Sequence, residues 1–247
     1  MVLIDIKFNV DFASQPSDDV DVWLLDLSEF SAKPHAEFAE LVSSEELIRA
    51  QEFKINSAHF LATRAFLRQV LSLYTGIAAH DLLFARSEHG KPFLSNCASV
   101  HFNLSHCNTL AVLAVSKHGE LGIDIETAGR RDFMKIAKRF FHESEFNALQ
   151  NRPITERENL FYKYWTLKEA FFKATGGGIS TGLDRIIFQF DQENISASLD
   201  AALNQQQRDW RFHQQLIAQD TLVALAVDSH HALKIQWLYG NPVVARG

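Results

Sequence analysis

Cysteine is scarce in this chain: among 247 residues only Cys97 and Cys107 occur. Their spacing fits no metal knuckle, and two cysteines cannot build the disulfide framework of a small secreted domain. A reduced, cytoplasmic compartment is the expectation. Long apolar runs are missing too. No stretch approaches the roughly 20 residues a membrane helix requires, so no membrane association is expected. The opening MVLIDIKFNVDFAS alternates like a strand and lacks the basic start and apolar stretch of a secretory leader. Positive charge is not in excess: 24 Lys and Arg stand against 30 Asp and Glu, a formal net charge of −6. Nucleic acid is therefore an unexpected partner, because phosphate backbones demand a concentrated basic surface. An acidic partner would have to be met by a local basic patch. Low-complexity tracts are lacking, and 47% hydrophobic with 22% charged residues is the composition of an ordinary folded protein.

What is there is periodic. Apolar Phe60, Leu61, Leu67, Val70, Leu71 and Tyr74 recur at helical spacing within 43–74, predicting two helices that break near 56–57 and stop at Gly76. Short extended pieces at 82–84 and 92–94 flank a His89-Gly90-Lys91-Pro92 turn. Residues 109–115 and 121–125 read as strands joined by a turn at 117–119. Helices are predicted over 133–146 and 159–174, and strands over 186–190, 222–227 and 233–238.

One internal echo bears on the architecture. TLAVLAVSKHGELGIDIE (109–126) lines up without gaps on TLVALAVDSHHALKIQWL (221–238), with 8 of 18 positions identical. The helix before each copy closes with Thr-Gly, at Thr75-Gly76 and Thr175-Gly176. Apolar strands do resemble one another by chance, but the His118/His230 and Thr109/Thr221 matches favour related halves. The expected fold is α/β (α+β): two similar halves, 1–118 and 119–247, related by a pseudo-twofold, each a small antiparallel sheet packed with a long helix. Where the first copy carries Asp124 and Glu126, the second carries Gln236 and Leu238. The strand persists while its carboxylates do not, which separates chemistry from structure.

Asp124 and Glu126, two apart on a strand, face the same way. Such closeness is costly unless solvent or a cation neutralises it, and oxygen donors at this spacing suit magnesium. A solvated strand end is the plainer alternative. In WTLKEAFFK (165–173), Trp165, Glu169, Phe172 and Lys173 share a helical face; Glu169 and Lys173 could also be no more than an exposed ion pair. His106, in FNLSH (102–106), could be structural or donate to a phosphate. Lys91, in a tight turn, could reach a phosphate as a point charge or lie on the surface. Arg64 and Arg68, one helical turn apart, could clamp a further phosphate or face solvent.

Taken in order, GKPFL (90–94), FNLSH (102–106), GIDIE (122–126), IAKRFF (136–141) and WTLKEAFFK (165–173) resemble the phosphopantetheinyl transferases of the larger, surfactin-synthetase-activator type. The resemblance covers about 45–190. It implies a two-lobed, magnesium-dependent enzyme with coenzyme A in the cleft between its halves. The arm of the coenzyme would pass to a serine of an apo acyl or peptidyl carrier protein, releasing adenosine 3′,5′-bisphosphate. Carried over, Asp124, Glu126 and Glu169 become the magnesium site. Arg64, Lys91, Pro92, Ser105, His106, Asp124 and Lys173 become candidates for holding the coenzyme. Glu169, assisted by Lys173, becomes the expected base. Cysteine stands at 107 where the family often has serine.

Arg130, Arg131, Lys135, Lys138 and Arg139, interleaved with Ile136, Phe140 and Phe141, form either a solvated basic face or the docking surface for an acidic carrier protein. With both halves in one chain, a monomer suffices. Two other functions compete: a magnesium-dependent hydrolase that cleaves the coenzyme's pyrophosphate, and a non-catalytic scaffold that binds coenzyme or carrier.

Overall fold

The computed structural model describes residues 19–30, 38–53, 56–129, 131–177, 182–192, 194–201, 203, 208–218 and 220–239. The strand expected at the amino terminus and Arg130 lie outside them. Internal contacts divide the chain into two compact units. One, here the amino-terminal unit, holds the described residues of 19–87, Pro92–His118 and 234–239; the carboxy-terminal unit holds Glu88–Lys91 and Gly119–Leu233.

The path runs through β1 (Val20–Asp26), α1 (Ser44–Glu52), α2 (Ser57–Thr75), β2 (Phe84–Arg86), β3 (Pro92–Leu94), β4 (His101–Cys107) and β5 (Leu110–Ser116). The carboxy-terminal unit follows with β6 (Leu121–Thr127), α3 (Phe133–Phe140), α4 (Glu143–Gln150), α5 (Ile154–Thr175), β7 (Ile186–Asp191), β8 (Asn194–Leu199), β9 (Trp210–Ala218) and β10 (Thr221–Asp228). The last strand, β11 (Ile235–Tyr239), rejoins the amino-terminal sheet.

That sheet is four-stranded, ordered β11-β1-β5-β4. β5 pairs antiparallel with β1 and β4, while β11 runs parallel to β1. The sheet is thus mixed, not purely antiparallel as expected, because the strand that closes it enters from the end of the chain and not through a hairpin. Alternate residues of β1 and β5 (Trp23, Leu25, Leu113, Val115) form one core with Leu61, Ala65, Phe66 and Val70 of α2. Ser43 and Glu46 form a reciprocal capping box that starts α1.

The carboxy-terminal unit has a three-stranded antiparallel sheet, β6-β10-β9, and a separate β7-β8 hairpin. Phe161, Leu167 and Phe171 of α5 share a core with Phe188, Ala224 and Ala226. α2 and α5 both end on a left-handed glycine, Gly76 at φ 70° and Gly176 at φ 78°. These are the Thr-Gly stops seen in the sequence, and only glycine adopts that cap without strain.

The hairpin expected over 109–125 does not form. Both edges of β5 are taken, by β1 and β4, so β6 can pair only elsewhere, and it pairs with β10. The helix expected over 133–146 is broken at 141–142, where His142 caps α4 with its Nδ1 and Glu145 completes the capping box. α5 starts earlier than its apolar periodicity suggested, directly after Pro153.

Candidate functional site

Alternation along β6 puts Gly122, Asp124 and Glu126 on one face, and Ala226 and Ala224 of β10 stand in register with Gly122 and Asp124. Helix α5 packs over β6 and β10. A β-carbon on Gly122 would come within 2.1 Å of the Ala170 carbonyl oxygen and 2.3 Å of the Ala174 nitrogen. Small residues beneath the helix therefore let it seat deeply, and that depth brings Glu169 and Lys173 to the strand's carboxylates.

Asp124 is buried and its Oδ1 accepts from Lys173 Nζ at 2.6 Å. Glu126 receives a fork from Arg131, Nη1 to Oε1 and Nη2 to Oε2, each at 3.1 Å. The indole Nε1 of Trp165 also donates to Glu126 Oε1, at 3.2 Å. Trp165 is itself held by a near-parallel Phe161 ring at 5.7 Å, on which Phe141 stacks in turn. Glu169 is in a different state. Burial, and then the negative charge of Asp124, push its carboxyl up to about 7; Lys173 pulls it back and Glu126 adds a smaller push. Its Oε1 is buried and makes no hydrogen bond. The helical Glu169–Lys173 ion pair weighed from the sequence gives way to a tertiary one, since the ammonium donates to Asp124. As placed, no group of three or more His, Cys, Asp or Glu among the described residues forms a ready metal cage. Two of the acids are instead met by cationic side chains.

Two family models match the chain: the 4′-phosphopantetheinyl transferase superfamily over residues 120–227, and the 4′-phosphopantetheinyl transferase N-terminal domain over residues 31–118. The 4′-phosphopantetheinyl transferase HetI of Nostoc sp. is 36% identical over 170 residues, which are 66% of this chain and 71% of that protein. The 4′-phosphopantetheinyl transferase Sfp of Bacillus subtilis is 30% identical over 66% of this chain and 73% of its own. The chain belongs to the 4′-phosphopantetheinyl transferase superfamily. Among solved structures, a holo-[acyl-carrier-protein] synthase of Thermotoga maritima aligns over 44% of this chain and 61% of its own, with 26% identity and a TM-score of 0.36.

The site residues read from the motifs fall into two groups. Asp124, Glu126, Glu169 and Lys173 of this family member meet within the carboxy-terminal unit, as described. Lys91 belongs to the same unit, where its ammonium donates to Glu120, to Leu121 O at 3.1 Å and to Ala174 O at 2.9 Å. Burial lowers its pKa, with Glu120 opposing the shift. In this arrangement Lys91 ties the start of β6 to the last turn of α5.

Arg64, Pro92, Ser105 and His106 belong to the amino-terminal unit. Pro92 opens β3. Ser105 is buried and His106 exposed, so neighbouring side chains of β4 point to opposite faces. Arg64 pairs with Glu46 and lies over the Phe84 ring, its guanidinium carbon 4.8 Å from the centroid. Arg68 neither faces solvent nor reaches for a ligand. It is buried on Glu46 Oε2 at 2.6 Å, with its Nη1 on the carbonyls of Ala79 (2.8 Å) and Leu82 (3.0 Å). A guanidinium with this many fixed acceptors anchors a loop.

Sequence reasoning missed the fork of Arg131 on Glu126, the indole bond to Glu126, and a buried ion pair. In that pair Lys168 Nζ lies 2.7 Å from Glu145 and donates to the carbonyls of Leu183 and Ile186. Both side chains are essentially inaccessible, so Lys168 and Lys173 of one motif play opposite parts. The only local hint was the shared face of Trp165 and Glu169; the other pairings join residues on different elements.

Proposed function

We infer that this protein transfers the 4′-phosphopantetheine group of coenzyme A to the hydroxyl of a carrier-protein serine, releasing adenosine 3′,5′-bisphosphate. The observation that carries this reading is Glu169: a half-buried carboxyl with a buried Oε1, pushed up to about 7 by burial and by Asp124, beside the Lys173–Asp124 pair on the helix the family motif marks.

The serine oxygen bonds to the phosphorus that bears the pantetheine arm, and the pyrophosphate P–O bond breaks with its electrons leaving on adenosine 3′,5′-bisphosphate. The serine proton needs an acceptor. Glu169 is the candidate acceptor, either directly or through a bound water. The upward push on its carboxyl belongs to the metal-free site, and as a metal ligand it would act through the water. Lys173, held by Asp124, places positive charge next to that carboxyl, and its charge opposes the build-up on the phosphoryl oxygens.

A divalent cation fits this donor set. Asp124, Glu126 and Glu169 offer only oxygens, and Glu169 Oε1 is buried without a hydrogen-bond partner. These residues would hold magnesium, which when bound supplies charge neutralisation for the pyrophosphate. In its absence Lys173 and Arg131 perform the same service for the acids.

Docking of an acidic carrier protein falls to α3, where Lys135, Lys138 and Arg139 are exposed. Lys135 is partly engaged by Asp132 at 2.8 Å, and Arg139 lies over Phe140 at 5.0 Å. Among the described residues no helix is long and apolar enough to cross a membrane.

The test is mass spectrometry of a panel of apo carrier proteins incubated with coenzyme A and magnesium. Addition of phosphopantetheine to at least one supports the reading. Appearance of free 4′-phosphopantetheine with no carrier modified would replace it with hydrolysis, and no reaction of either kind would leave a binding module.

A further inference from the structure

The fork of Arg131 on Glu126 is unusual for a cation at the head of a basic segment. Lys135 and Lys138 are exposed to solvent, whereas Arg131 turns both Nη atoms onto one carboxylate at 3.1 Å. Its backbone is steered there. Gly129 N donates to Tyr162 OH of α5 at 3.1 Å, and Arg131 N returns to Gly129 O at 2.7 Å. The loop after β6 is thereby pinned to the helix that carries Glu169. Both oxygens of Glu126 are covered by the fork, one of them shared with the Trp165 indole. The guanidinium side chain remains 46% exposed, so it can swing into water without leaving a buried charge behind, whereas Glu126, 15% exposed, cannot go unpaired cheaply.

We propose that Arg131 is a built-in counter-cation for Glu126, which a divalent ion must displace to bind. This rests on Glu126 being a metal ligand, as proposed above. A bound dication and the fork compete for the same two oxygens, so the ion pair holds the acid in place in the metal-free protein and subtracts its own worth from metal affinity. The Trp165 indole, fixed by its aromatic stack, keeps one carboxylate oxygen oriented in either state. The same placement withdraws Arg131 from carrier docking, which leaves Lys135, Lys138 and Arg139 for that surface.

The test uses the full chain without coenzyme A, with Mn²⁺ alone as the probe and its free concentration followed by electron paramagnetic resonance. Removing the competitor in Arg131→Gln should tighten Mn²⁺ binding roughly two- to fivefold, the worth of a partly exposed ion pair. Arg131→Lys, which keeps charge but loses the fork, should fall between that variant and the parent. Unchanged or weaker binding in Arg131→Gln overturns the proposal, because the guanidinium then does not compete, or instead orients Glu126 for the metal. Glu126→Gln separates this failure from failure of the site itself: if it leaves Mn²⁺ binding untouched, Glu126 is no ligand and the underlying reading falls first.

Discussion

Each unit sets acidic side chains beside a long helix, but the two resolve the charge differently. In the amino-terminal unit Asp21, buried in β1, accepts from Tyr74 OH of α2, which in turn accepts from Trp23 Nε1 at 2.8 Å. Glu46 is closed by Arg64 and Arg68. In the carboxy-terminal unit Asp124 and Glu126 are met by Lys173 and Arg131, side chains 30% and 46% exposed, and Glu169 keeps a buried oxygen with no hydrogen bond. The difference teaches how to tell structure from chemistry. An acid whose partner is locked in the core contributes to the fold, while an acid whose partner can leave is available to a ligand. The carboxy-terminal unit contains its own control in Glu145–Lys168, which is as closed as anything in the other unit.

The sharpest way to break this comparison is to strike one acid of the open kind and one hydroxyl of the closed kind. Glu169→Gln should lower the rate of carrier modification by at least about 100-fold, the usual worth of a catalytic base, while thermal stability holds or rises because a half-buried ionisable group beside Asp124 is gone. Tyr74→Phe should do the reverse. Turnover per folded molecule stays near that of the parent, and stability falls by about 1–3 kcal/mol as Asp21 and Trp23 lose their shared partner. Equal loss of turnover in both would erase the distinction.

The control pair comes next. Lys168→Met leaves Glu145 buried without its cation and should cost about 3–5 kcal/mol in urea denaturation. Adding Glu145→Gln, which removes the charge but keeps an acceptor for the amides of His142 and Phe188, should recover part of the loss. A stable single variant would mean that the pair is not closed after all. Gly122→Ala should cost a comparable amount, about 3 kcal/mol or more, because its β-carbon would meet the backbone of α5 and force β6 off the helix. It should also loosen Mn²⁺ binding, because Asp124 and Glu126 ride on that strand. Intact metal binding would show that helix depth does not set the site.

The smallest effect concerns acid. Burial pushes the His213 imidazole of β9 below its usual value. On acidification the unfolded chain therefore takes the proton first, near pH 6.5. Stability should drop as pH falls from there toward the folded-state pKa, with no contribution from this group above it. His213→Gln should flatten that part of a melting-temperature profile; an unaltered slope would assign the acid sensitivity to other groups.

The sequence by itself determined the ingredients that depend on short spacing. Alternation put Asp124 and Glu126 on one face of a strand, and helical period put Trp165, Glu169 and Lys173 on one face of a helix. Thr-Gly marked both helix stops, and the ordered motifs marked the family. Local rules reach that far because they concern residues a turn or a pleat apart. They missed β1, whose partners β5 and β11 lie far along the chain. They also missed β4, β8 and β9, which pair with their sequence neighbours but carry many polar residues that blur the apolar alternation. And they wrongly joined β5 to β6, since nothing local says that both edges of β5 are already taken. Only the tertiary structure decided that Lys173 turns to Asp124 while Lys168 is buried on Glu145, and that Arg131 closes on Glu126. Charge alone cannot choose among partners of equal sign. Burial and reach do, and both are set when α5 seats against the glycine and alanines of β6 and β10.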